Sequence, residues 1–157
     1  MVLKQMDRID RKILELMQRD ASLSTAELAE RVGLSTTPCW RRIQNLEKSG
    51  VLRRRVALLD REQLNLGVDV FVTLRINRHD EEWLEKFNRA VDGFDEVVEF
   101  YRMSGDVDYL MRVVVADIKA YDDFYKRLIR HTGIADVSSS FAMERIKYTT
   151  ALPLDNL

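Results

Sequence analysis

The chain has 157 residues, 46% hydrophobic and 32% charged, a composition that forms a core and excludes wholesale disorder. Its apolar runs, such as Val113 to Ala116, are too short to span a bilayer, and the start, Met1 to Gln5, leads directly into charged residues without the apolar stretch of a secretory leader. One cysteine and two distant histidines make neither an internal disulfide nor a cysteine/histidine metal site, so a cytoplasmic protein of one ordinary or two small domains is expected.

The net charge of −1 hides an asymmetry. Residues 1–66 carry 13 Lys/Arg against 9 Asp/Glu, a net of +4, and residues 67–157 a net of −5. Between residues 35 and 61 seven basic side chains face only Glu47 and Asp60. A basic half joined to an acidic half suits a chain of which one part touches a polyanion.

Three helical patterns open the sequence. The first covers about Asp7 to Arg19, with Ile9, Ile13, Leu14 and Leu16/Met17 on one stripe. Ser24 and Glu27 form a capping-box pair at the head of a second helix, which places Leu28, Ala29 and Val32 inward and ends at Gly33. Ser35 stands at the cap of a third helix, Pro38 falls in its first turn, and the helix runs to Lys48 before Gly50.

The third helix carries the most information. Cys39, Ile43 and Leu46 recur at i, i+4, i+7 and belong to a core. Thr37, Arg41, Gln44 and Lys48 follow the same period on the other side, with Thr36 and Arg42 flanking. Every member of that second face can hydrogen-bond and none is acidic, which suits a helix lying in the major groove. The short turn at Gly33 makes the pair a helix-turn-helix over about residues 24–43. Thr36, Thr37, Arg41 and Gln44 are candidate base contacts. Arg42, Lys48 and the extended run Arg53, Arg54 and Arg55 are candidate phosphate contacts, the run acting as a wing.

The second half reads differently. Val68, Val70, Val72, Leu74 and Ile76 alternate as a half-buried strand. A helix is expected from about Asp80 to Asp92 with Trp83/Leu84, Phe87 and Ala90/Val91 inward. Strands follow at Val97 to Met103 and Val107 to Val115, joined by Ser104-Gly105-Asp106. Asp117 caps a helix to about His131 with Ile118, Tyr121, Phe124/Tyr125 and Leu128 inward, and a last strand is expected around Val137 to Tyr148. This βαββαβ order is the ferredoxin-like arrangement, four antiparallel strands with both helices on one face. The face left open, apolar in places, predicts burial against a second copy.

The runs Asp7-x-x-Asp10-x-x-Ile13-Leu14, Leu28-Ala29-x-x-Val32-Gly33-Leu34-Ser35 and Pro38-Cys39-x-x-Arg42-Ile43-x-x-Leu46-x-x-x-Gly50-Val51 resemble the Lrp/AsnC family of bacterial and archaeal regulators. In the second half Ser104-Gly105-Asp106-x-Asp108-Tyr109-Leu110 and Met143-Glu144-x-Ile146-Lys147 resemble it too, so the resemblance spans about residues 5–150. It implies an α+β protein in which an N-terminal winged helix-turn-helix (residues 1–59) and a linker (60–67) precede a ferredoxin-like βαββαβ domain of the ACT-like/RAM kind (68–157). It also implies a homodimer, with octamers in many members, and an amino-acid effector. Thr36-Thr37-Pro38-Cys39-Trp40 and Ser138-Ser139-Ser140-Phe141-Ala142-Met143-Glu144 resemble a branch associated with cysteine metabolism, which places cysteine among the candidate effectors.

The expected function is that of a sequence-specific, double-stranded-DNA-binding transcriptional regulator, nucleoid-associated in the cytoplasm, with no enzymatic activity and no cofactor. The alternative is an architectural DNA-binding protein of low specificity. An enzyme fits poorly: no glycine-rich phosphate loop is present, His79 and His131 lack clear partners, and Asp106 and Asp108 have no substrate placed between them. Cys39, aligned with Ile43, reads as a small core residue. An amino-acid ligand needs backbone N–H donors, an anionic acceptor and a shaped pocket. The hairpin residues Gly105, Asp106 and Asp108 offer the first two, and Ser138, Ser139 and Ser140 place hydroxyls across the sheet; these six are the candidate effector residues.

Overall fold

Asp7 accepts the backbone N–H groups of Ile9 and Asp10, while the Asp10 side chain returns to the Asp7 N–H. This reciprocal cap starts α1 (Arg8–Met17). The computed structural model describes residues 6–76, 81–132, 134 and 136–155. Ser24 and Glu27 cap α2 (Thr25–Val32) in the same way, as the sequence predicts. At its end Gly33 has φ +73°, and Leu34 and Gly33 donate back to the Ala29 and Glu30 carbonyls. A side chain with a Cβ would be strained in that left-handed position, so glycine makes the sharp turn into the next helix. Ser35 occupies the N-cap position of α3 (Thr36–Lys48), but its side chain makes no capping bond.

The chain divides into two units. The first comprises residues 1–58 together with 147–157, the second residues 59–146. The first unit is built on Ile13, Leu14, Met17, Leu28, Ala29, Val32, Cys39, Ile43 and Leu46, all buried. Burying a Leu or Ile side chain stabilises by roughly 1.5–3 kcal/mol, so the three apolar stripes suffice to hold these short helices together. Residues 147–157 group with the first unit, and the run 53–58 carries no assigned strand.

The second unit contains β1 (Val68–Arg75), α4 (Glu81–Asp92), β2 (Val97–Arg102), β3 (Tyr109–Val115), α5 (Ile118–Thr132) and β4 (Asp136–Phe141). The strands pair in the order β2-β3-β1-β4, all antiparallel, as a ferredoxin-like sheet requires. The alternation in β1 sends Val70, Val72 and Leu74 to one face, where Tyr109, Met111 and Val113 of β3 join them. Phe87 and Val91 of α4 and Tyr121, Phe124 and Leu128 of α5 close that core.

Three further details differ from the sequence reading. Ile118, expected inward, is 71% exposed at the first turn of α5. The last strand stops at Phe141; the Ala142 N–H still donates to the Asp69 carbonyl at 2.9 Å, and residues 142–150 take no regular structure. The expected helix start at Asp80, and His79, lie outside the described residues. Among the described residues no helix is long and apolar enough to cross a membrane, and no group of three His, Cys, Asp or Glu side chains could hold a metal ion.

Candidate DNA interface and effector residues

Helix α3 is amphipathic in the way the sequence predicts: Cys39, Ile43 and Leu46 face the core. Burial pushes the Cys39 thiol above its ordinary pKa, which keeps it protonated and unreactive. On the opposite side Thr36, Thr37, Arg41 and Lys48 are exposed. Gln44 is half-buried and its Nε2 donates to Glu47 Oε2 at 3.0 Å, so its amide is already engaged. Trp40, passed over in the sequence reading, is 52% exposed between Thr37 and Arg41. Its signal was available: a large aromatic one position beyond the buried Cys39 must sit on the rim of the core stripe.

Arg42 does not stand with Arg41. It turns toward α1, where its Nη1 donates to Asp7 Oδ2 at 2.7 Å and to Asp10 Oδ1 at 2.8 Å. The Asp7 carboxyl is held below the usual range, first by the Asp10 backbone N–H and then by Arg42. In the chain alone Arg42 thus ties the cap of α1 to the middle of α3. Arg53 and Arg54 are exposed, and Arg55 reaches Glu47 Oε1 at 3.3 Å.

The candidate effector residues lie in the β2–β3 turn and in β4. Gly105 has φ +123°, a conformation that favours glycine, in the turn between β2 and β3. Asp106 is exposed and offers its backbone carbonyl to Arg75 Nε at 2.8 Å. The Asp108 carboxylate accepts the Ile76 N–H at 2.7 Å, and its backbone bonds to Leu74 and Met103 stitch the hairpin to β1. Asp108 thus clamps the hairpin to the end of β1 through Oδ2 and its backbone.

In β4 the register sets Ser139 against Val72 on the helix-covered face, where its hydroxyl hydrogen-bonds the Tyr121 hydroxyl. Ser138 and Ser140 stand opposite Thr73 and Phe71 on the uncovered face. One of the three serines is therefore separated from the other two by the sheet itself. His131 lies in the last turn of α5, its Nδ1 2.7 Å from the Arg127 carbonyl and its ring edge-on to Phe94.

The uncovered face holds a cluster that sequence reading missed. Asp69 is buried there, 5% exposed. It accepts Arg112 Nε at 3.0 Å, pairs with Arg61 from the segment before β1, and lies 3.7 Å from Arg145 Nη2. Arg112 also donates to Glu99 Oε1 at 2.7 Å, and the Tyr101 hydroxyl donates to Glu99 Oε2 at 2.9 Å. Phe71, Leu110, Val114 and Tyr101 share this face, half-buried or exposed.

Comparison with known proteins covers both units. Residues 6–53 match the winged helix-turn-helix DNA-binding family, and residues 69–152 the Lrp/AsnC ligand binding domain. The chain is 53% identical over 151 residues to the DNA-binding transcriptional activator DecR of Escherichia coli K12, covering 96% of this chain and 99% of that one. A crystal structure of an AsnC family transcriptional regulator from Agrobacterium tumefaciens is 64% identical with a TM-score of 0.94, covering 97% of this chain and 99% of that one. That of the transcriptional regulator NMB0573 from Neisseria meningitidis, in complex with L-Met, is 38% identical with a TM-score of 0.92 over the same shares.

Proposed function

The chain belongs to the Lrp/AsnC family of DNA-binding transcriptional regulators, and from that premise we propose that it reads operator DNA with the exposed face of α3 and responds to a small amino acid through residues 59–146. The observation that carries the first part is that face itself: Thr36, Thr37, Trp40, Arg41 and Lys48 are exposed and bring hydrogen-bond donors and positive charge, and the neighbouring Glu47 carboxylate is taken up by Gln44 and Arg55. Thr36, Thr37, Trp40 and Arg41 contact base edges; Lys48, Arg53 and Arg54 contact phosphates and set the register.

The second part rests on the hairpin. The Gly105 turn allows close approach to backbone N–H groups, and the exposed Asp106 side chain is the acceptor for an ammonium, since Asp108 is already engaged. Ser138 and Ser140 on the uncovered face complete the set when a second copy covers that face. L-Met, bound by the Neisseria neighbour, and L-cysteine are the first effectors to test. Phe71, Leu110, Val114 and Tyr101 give the uncovered face the apolar area a homodimer needs, and two-fold symmetry matches a pseudo-palindromic operator. Binding the effector between copies acts on DNA only through its differential affinity for the alternative assemblies.

Genomic binding-site mapping with and without added L-Met or L-cysteine tests this reading. Discrete sites whose occupancy changes with one of the amino acids support it. Diffuse binding that follows bulk DNA speaks for an architectural protein instead.

A further inference from the structure

The first unit is made from both ends of the chain. Gln18, at the end of α1, addresses one residue twice: its Nε2 donates to the Leu152 carbonyl and its Oε1 accepts the Leu152 N–H, both at 2.9 Å. A primary carboxamide presents one donor side and one acceptor side, so this pair reads an extended backbone as a neighbouring strand would. The Leu152 side chain takes no part, being 71% exposed. Leu154 packs against the apolar cluster of α1–α3, and Arg11 Nη2 donates to Asp155 Oδ1 at 2.7 Å.

The segment is suited to this seat. Leu152 precedes Pro153, which biases it toward extended backbone before it docks, and Pro153 brings no N–H that needs an acceptor. Less conformational entropy is then lost on docking. Upstream, Thr150 lines a cavity of about 420 Å³ together with Leu52, Arg54, Arg55 and Leu58. The arginine-bearing run, which has no strand partner among the described residues, thus shares a wall with Thr150 of the returning tail.

We propose that Arg11, Gln18 and the adjoining apolar cluster form a recognition site for the chain's own residues 150–155. Docking of this segment fixes the arginine run 53–58. The consequence for DNA rests on the proposed function; the docking itself does not. It also means that the chain enters and leaves the DNA-binding unit at two points, near residues 58 and 147, so the unit has two covalent connections to the second.

Amide hydrogen exchange on the full chain without DNA tests this, comparing wild type with Gln18→Ala and Leu154→Asp. In wild type, residues 150–155 and 53–58 exchange about tenfold or more slowly than in either variant, while residues 39–46 are equally protected in all three, showing the fold intact. Tail exchange at free-peptide rates in wild type overturns the site, and a released tail with unchanged 53–58 overturns its effect on the arginine run. Protection that falls on dilution assigns the bound tail to a second copy and overturns docking within one chain. A protected tail in a protein that binds no DNA sinks the proposed function and leaves the recognition site standing.

Discussion

Arg112 donates from Nε to Asp69 Oδ1 at 3.0 Å, diagonally across the β1–β3 ladder, on the sheet face that the helices leave uncovered. The contact holds a carboxylate that is 5% exposed among three guanidinium groups. It also joins the segment before β1 to the sheet, because Arg61 shares the same carboxylate.

Removing that carboxylate strands buried positive charge. Loss of one partner from a buried pair costs about 3–5 kcal/mol, but the Arg112 and Arg61 side chains stay 16% and 20% exposed, which lowers the expectation to about 2–4 kcal/mol. Urea unfolding of Asp69→Asn should show this loss. A change below about 0.5 kcal/mol contradicts the reading of Asp69 as the hub of the cluster.

Acid should weaken the same cluster in a defined direction. Arg112, and after it Tyr101, holds the Glu99 carboxyl below the usual glutamate range. Because the folded value is depressed, the stability Glu99 adds is fully present above the ordinary value of about 4.3, and is lost as pH falls through the depressed value. Urea midpoints measured from pH 6 down to 2.5 should therefore fall more gently for Glu99→Gln than for wild type. Parallel curves contradict the assignment.

Adjacent arginines on α3 should separate binding from stability. Arg42→Ala breaks two contacts to the α1 cap and should cost about 1–2 kcal/mol of folding stability. Arg41→Ala should leave the melting temperature within a degree or so, yet cost roughly 1–3 kcal/mol of operator affinity and relax preference at one base pair. Thermal melts alongside fluorescence-anisotropy titrations check both, and equal effects on both quantities in the two variants contradict the division of roles.

Those two arginines also mark the limit of what the sequence made legible. Helical period alone put Cys39, Ile43 and Leu46 inside and Arg41 outside. It could not show that Arg42, about 100° further round the helix, meets Asp7 and Asp10, because those carboxylates lie 35 and 32 residues away. Asp69 failed for a related reason: alternation reads it as the solvent-facing neighbour of Val68 and Val70, and its burial comes from arginines on other segments. Strict alternation did place Ser138 and Ser140 on one face and Ser139 on the other, a consequence of period two that grouping the serines overlooked. Met143, Ile146 and Tyr148 read as strand residues, but β1 begins at Val68, only two residues past the partner of Phe141, so at most a short continuation of the ladder is available on that strand.

Selection of binding sites from a random double-stranded DNA library by the full chain, followed by affinity measurement against bulk genomic DNA at one salt concentration, tests the central claim most directly. A specific dimeric operator reader selects a pseudo-palindromic motif bound about a thousandfold or more tightly than bulk DNA, with that advantage reduced in Arg41→Ala. A library that yields no motif, or a specific-to-bulk ratio near one, contradicts it.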